Sequence, residues 1–384
     1  MEPDVLLRRR LPLALVAAAL LAGCGNARTG TPRPETATSI ATAADAGGST
    51  GPLPLPDASA GTAAAPDDAG AASLVAGDYA AAGWSAVAGA PPDIGLAAVR
   101  GSASDDVWAV GDAGLVLHWD GAAWTRVPSG SSVWLDAVWA GDHDHAWIAG
   151  EAGTILRWDG ALWSPPTSGI EVNLNGVWQS ADDAAWVVGD VGTILRWDGS
   201  AWTLVAAGTD VPLYDVWGSA EDDVWAVGGA ILHWDGHAWS DVRSGPMPGI
   251  AGLVMPDAPP PDVPWLGAVR AGPAAFLRSV AGSGPDDVWA VGDAGAVQHW
   301  NGTAWTRVPS ATGNWLEGVW AATADEAWAV GNMGAVERWD GGSWSAVPCT
   351  ARTRLKGVWG LRDHDLWVVG GFGTILQQTT REDS

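Results

Sequence analysis

LNGVWQSADDAAWVVGDVGTILRWDGSAWTLVAAGTDVP, residues Leu174–Pro212, is the stretch from which the rest of the chain can be read. It holds four short apolar runs, three reversal signals and four tryptophans. Near-copies flank it. Leu96, Leu135, Leu174 and Leu213 stand 39 residues apart, and so do Leu277, Leu316 and Leu355. A fixed period of this length marks a repeat architecture, which overrides the two or three ordinary domains that 384 residues would allow.

Each repeat opens with a Leu-x-x-Val strand and a polar turn. A second strand is centred on a tryptophan such as Trp186, and a Gly-acid-x-Gly turn such as Gly189–Gly192 follows. The third strand ends at Trp197, the Asp198-Gly199 pair reverses the chain, and Trp202 begins the fourth strand. Asp-Gly pairs tolerate positive φ and suit tight hairpins. Four strands in 39 residues leave no room for helices, so the chain is all-β. Runs such as Ala185–Val188 are apolar without alternation, as expected of strands buried on both faces. Radially stacked blades create that environment, and the period is near that of known blades. The sequence therefore predicts a seven-bladed β-propeller with four-stranded blades over residues 83–379.

The seventh repeat lacks a fourth strand, whereas Gly83–Val87 matches the fourth-strand segment Ser343–Val347. The last blade is thus expected to be closed by the N-terminal strand. One repeat is longer than the others. Val216 and Val280 lie 64 residues apart, which places a Pro-rich insertion at about 243–276, between blades four and five.

The first 23 residues read as an export signal: Arg8–Arg10 carry the charge, Leu11–Leu21 the apolar run, and Leu21-Ala22-Gly23-Cys24 resembles a bacterial lipobox. Cys24 is the expected lipidation site. Gly25 stands where an aspartate would favour inner-membrane retention, so the outer membrane is the expected address. Residues 24–82 are rich in Ala, Gly, Pro, Ser, Thr and Asp, with few large apolar side chains. Such a composition cannot bury enough surface to offset chain entropy and predicts a disordered, lipidated tether.

A formal net charge of −25 excludes nucleic-acid binding through phosphate contacts. Cys24 and Cys349 do not make a disulfide framework, and Cys349 has no nearby histidine to activate it. Of 28 tryptophans, 25 fill recurring slots and are explained by architecture. Trp134, Trp265 and Trp315 do not; each directly precedes a leucine that opens or nears a blade. The connections that carry them should share a face with the turns holding Asp112, Glu151, Asp190, Asp293 and Asn332. Aromatic groups beside polar ones suit stacking on sugars or on partner side chains. This face is the expected binding site. On the opposite face, Asp105, Asp144, Asp183, Asp222, Asp286 and Asp325 recur with His364 in the seventh place, a pattern expected of turn structure. His143-Asp144-His145 lacks a third clear metal ligand, so no metal or cofactor is expected.

The run V-W-A-V-G-D-x-G-x-x-x-x-W-D-G-x-x-W, as at Val107–Trp124, resembles tectonin-type propeller repeats. It resembles more loosely the Asp-box repeats of bacterial neuraminidases and the propellers of photosystem-assembly factors. The tectonin resemblance implies a lectin-like module and hence a glycan ligand. The Asp-box resemblance implies glycoside hydrolase or lyase chemistry, but Asp198–Trp202 has one residue fewer between Asp and Trp than S-x-D-x-G-x-T-W. The tyrosines, Tyr79 and Tyr214, are not placed as that chemistry needs. The leading expectation is a non-enzymatic, envelope-anchored monomer that presents its propeller to a glycan or protein partner; a glycoside hydrolase or lyase, or an envelope assembly factor whose acidic rim docks a basic partner, are the alternatives.

Overall fold

The computed structural model describes residues 83–181, 183–242, 275–361 and 365–379. The export signal, Cys24, the tether, Trp265, His364 and nearly all of the blade-four insertion lie outside them. The described chain forms seven four-stranded antiparallel sheets. Blade one shows the plan: Leu96–Ala103 innermost, then Asp106–Gly111, Val116–Trp119 and Trp124–Arg126 at the rim. The inner strand of blade seven packs against that of blade one, so the ring is closed. Closure comes from the N-terminal strand, Trp84–Ala86, which pairs with Thr374–Thr379 in the register Trp84↔Gln378.

The second strands are the most buried. Ala184–Gly189 is buried at every position, because side chains on one face meet the preceding blade and those on the other meet the next. Its Trp186 is met by Trp234 at 4.9 Å and, edge-on, by Trp239 at 5.2 Å, both from blade four. The same three-tryptophan cluster recurs at most blade junctions, for example Trp289 with Trp339 and Trp344. Each such pair contributes roughly 0.5–1.5 kcal/mol beyond area burial. The recurrence of tryptophan in the sequence is thus the recurrence of one junction.

A single slot on the third strand caps the second-strand tryptophan in six of the seven blades. Arg196 lies 5.5 Å over Trp186, Arg157 5.4 Å over Trp147 and Arg338 5.6 Å over Trp328. Where the slot holds histidine, the ring stacks instead: His118, His233 and His299 lie 4.2, 4.2 and 4.1 Å from Trp108, Trp225 and Trp289. A flat cation or imidazole serves the same purpose, covering an indole face while its polar edge reaches solvent.

The glycine that ends each second strand is fixed by crowding. A Cβ on Gly189 would lie 2.2 Å from the Asn173 carbonyl oxygen, and the same clash recurs at Gly111 with Gly95. The close approach lets the Gly-acid-x-Gly turn hydrogen-bond to the connection entering its own blade.

Candidate binding face and central channel

The turn between the second and third strands and the connection between blades lie on one face, and backbone hydrogen bonds tie them together. Glu151 N–H donates to the Trp134 carbonyl, Gly153 N–H to Val172 and Gly334 N–H to Thr353. Asp112, Glu151, Asp190, Asp293 and Asn332 therefore share a face with Trp134 and Trp315.

Most of these polar groups are engaged within the protein. Asp112 accepts from the Gly95 N–H at 3.0 Å. Asp190 accepts from Asn173 and Asn175 at 3.1 and 3.2 Å. Asp293 accepts from Arg278 Nε at 2.6 Å. Glu151 is exposed, and the buried Asn332 Oδ1 has no hydrogen-bond partner among the described residues.

The two tryptophans are not bare platforms. Lys356 Nζ lies 4.4 Å from the Trp134 ring centre, and the Arg278 guanidinium lies 4.8 Å from that of Trp315. Trp134 is half-buried, while Trp315 keeps 37% of its surface exposed. Lys356 belongs to blade seven and Trp134 leads into blade two. The side chain spans blade one, where Ala97 offers no more than a methyl group.

That alanine leads to the feature that a reading of the sequence passed over. The first variable residue of Leu-x-x-Val is Ala97, Asp136, Asn175, Tyr214, Arg278, Glu317 and Lys356 around the ring. All seven line one cavity of about 130 Å³ in the central channel. Its signal was visible: seven repeats carry seven different residues at a position flanked by conserved leucine and valine slots. What the sequence did not show was that this side chain points to the axis.

The channel is electrostatically mixed. Glu317 is held by Arg354 at 2.9 Å and approached by Arg278 at 3.9 Å. Among the described residues Asp136 has no hydrogen bond; burial pushes its carboxyl up to about 6, against the opposing pull of Lys356. Burial likewise lowers the Lys356 ammonium. Deeper in, burial pushes Asp215 up to about 6, although it accepts three hydrogen bonds of 2.9 Å: from the Val216 and Val280 N–H groups and the Ser279 hydroxyl. Ser279 Oγ in turn accepts from Val319 N–H, so this chain of contacts stitches blades four, five and six together.

On the opposite face the recurring turn aspartates pack into the turns and, among the described residues, do not cap backbone groups themselves. Hydrogen bonds to backbone groups two and three residues on are made by the Asp-Gly aspartates instead, such as Asp120 to Ala122 and Ala123. Asp105, Asp144 and their counterparts pack against the glycines of those pairs, Asp105 against Gly121 and Asp144 against Gly160. Blade one adds a network in which Asp106 accepts from Ser102 and Trp108 and pairs with His118 at 2.8 Å. Blades four and five repeat its Ser–Asp–His core at Asp223 and Asp287. The carboxylate stands between hydroxyl and imidazole, so the serine is not hydrogen-bonded to the histidine that a Ser–His nucleophile pair requires. His143 and His145 turn towards Asp106 and Asp142, and among the described residues no group of three or more His, Cys, Asp or Glu is placed to hold a metal. Burial pushes the Cys349 thiol up, away from the reactive range.

No family model and no curated protein matches the chain. Solved structures do. YCF48 from Cyanidioschyzon merolae aligns with a TM-score of 0.58 and 18% identity over 78% of this chain and 99% of that one. YCF48 bound to D1 peptide aligns at 0.59 and 16%, over 78% and 96%. A catalytically inactive virginiamycin B lyase from Staphylococcus aureus, with quinupristin, aligns at 0.63 and 11%, over 78% and 99%. At these identities the likeness is one of fold. Binding proteins and an enzyme share it, so function rests on this chain's own side chains.

Proposed function

We propose that the chain is a non-enzymatic binding module, held at the bacterial outer membrane by lipid on Cys24, that engages a glycan or protein partner through the channel-mouth face. The observation that carries this reading is the ring of seven unlike side chains around one cavity. Positions that build a blade meet the same surroundings seven times and keep the same residue. The ring position points into a shared space, and its residues combine acids, bases, an amide and a phenol. Such a set recognises a polar ligand by hydrogen bonds from several directions.

A glycan end is favoured over flat stacking on Trp134 and Trp315, because a cation lies over each of those rings. A peptide is the second reading. Val191, Met333 and Phe372 are exposed apolar turn tips on this face, at 65%, 75% and 45%. A structural neighbour also carries a peptide, as its title states. Catalysis is disfavoured because the face's carboxylates are largely engaged in holding turns and neighbouring side chains.

Glycan and peptide arrays probed with the full chain test this reading. Captured ligands should be lost from an Asn175→Ala/Tyr214→Ala variant that keeps its melting temperature. Undiminished capture by that variant would move the site off the channel.

A further inference from the structure

Blade one departs from the repeat twice on the channel side. Ala97 replaces a long polar residue in the ring. Arg100 stands where Trp139, Trp178, Trp217, Trp320 and Trp359 stand in five other blades. Those tryptophans fill the space beside the neighbouring inner strand; Trp178, for example, lies against Gly218. Arg100 lines the cavity, as Trp139, Trp178 and Trp217 also do, but brings a charge where they bring an indole. It is surrounded by protein yet keeps some surface open to the channel. Among the described residues its guanidinium has no hydrogen bond and no ion pair, and Asp215 acts on it through charge at longer range.

We propose that Arg100 recognises a carboxylate, and that the channel site takes a sugar acid of the hexuronate class. This deepens the binding-face reading and rests on it. A guanidinium remains charged at all accessible pH, so burying one without a partner is unfavourable and a bidentate carboxylate would relieve it. Burial already weakens its hold on the proton. The cavity of about 130 Å³ is on the scale of the roughly 150 Å³ that holds a benzene-sized ring, which restricts a bound sugar to a single unit partly seated in the channel. Tyr214, Asp136 and the Asn175 amide oxygen line the same cavity and can pair with ring hydroxyls, the Asn175 N–H groups being donated to Asp190 and Leu213. Of the nearby acids, Glu317 is paired with Arg354 and Asp215 accepts three hydrogen bonds, which offset part of their repulsion of an anion.

Calorimetric titration of the full chain with D-glucuronate and with uncharged D-glucose tests this. Glucuronate should bind at least tenfold more tightly than glucose. Arg100→Met should lose at least tenfold in glucuronate affinity while leaving glucose unchanged. Arg100→Trp, which installs the residue found in the other blades, should keep or raise the melting temperature and abolish glucuronate binding, which separates recognition from folding. Acetate should bind at least tenfold more weakly than glucuronate, and equal binding would overturn the sugar-acid class. Equal affinity for glucose and glucuronate, undiminished binding by both Arg100 variants, or no binding of glucuronate to the parent would overturn the proposal. The wider reading fails separately, if the Asn175→Ala/Tyr214→Ala variant retains array binding.

Discussion

Trp84 meets Trp328 edge-on, with ring centres 6.2 Å apart and planes at 87°. The first strand of the propeller thereby touches blade six while hydrogen-bonding within blade seven. One short strand closes the ring and fills the last junction. Trp84 is only 1% exposed, buried like the rim tryptophans that arrive by the ordinary hairpin.

Trp84→Ala should therefore destabilise the propeller by about 3–5 kcal/mol, the range for a buried large aromatic truncated to a methyl. Deleting residues 83–88 should do at least as much. Thermal unfolding by near-ultraviolet circular dichroism is the measurement, with a fall in Tm on the order of 10 °C expected. A deletion as stable as the parent would show that the strand pairs without supporting the ring.

The turn tip Val191 has φ 56° and ψ 36°, in the left-handed region that a β-branched side chain rarely adopts. Ala113, Ala152, Ala294, Met333 and Phe372 repeat that positive φ in other blades. Val191→Asn should relieve the strain and stabilise the fold by about 1 kcal/mol, since asparagine tolerates this conformation through local hydrogen bonding. Urea unfolding with an unchanged m-value would register it as a rise in midpoint.

Asp136 gives a pH-dependent test. Its folded-state value of about 6 lies above the ordinary 3.8, so the folded protein holds the proton more tightly than the unfolded chain. The associated stability is fully present below about 4 and is lost as pH rises through about 6. Asp136→Asn removes that loss. The variant should be more stable than the parent by about 1–3 kcal/mol at pH 8 and indistinguishable at pH 4. A constant difference across that range would place the effect outside ionisation.

Asp106 has the opposite sign. Burial alone would push it up, but hydrogen bonds from His118 and Ser102 hold it below the usual carboxylate value. Its stability is present above about 4 and is lost as pH falls through the lowered folded value. Asp106→Asn should cost about 1–3 kcal/mol at pH 7, the scale of a disturbed buried charge-assisted network. The deficit should shrink as pH falls and the parent's carboxylate also takes up a proton. Denaturation curves taken stepwise from pH 7 into acid trace that change.

The repeat at Leu174–Pro212 determined the architecture by itself. The strand count, the seven blades and the completion of the last blade by Trp84–Ala86 all follow from period and turn chemistry, which are local properties of the chain. The shared face of Asp112, Glu151, Asp190, Asp293 and Asn332 was legible for the same reason, because a turn's face follows from its place in the blade. The occupants of that face were not. Lys356 covers Trp134 and Arg278 covers Trp315 because residues far apart in the chain become neighbours when the ring closes. The variable ring from Ala97 to Lys356 could be seen as variation, but not as a convergence. Likewise, Arg100 was a missing tryptophan in the sequence and became an unpaired cation in a channel in the structure. A repeat encodes what each blade does alone, whereas the axial cavity belongs to none of them and exists because seven inner strands face one another.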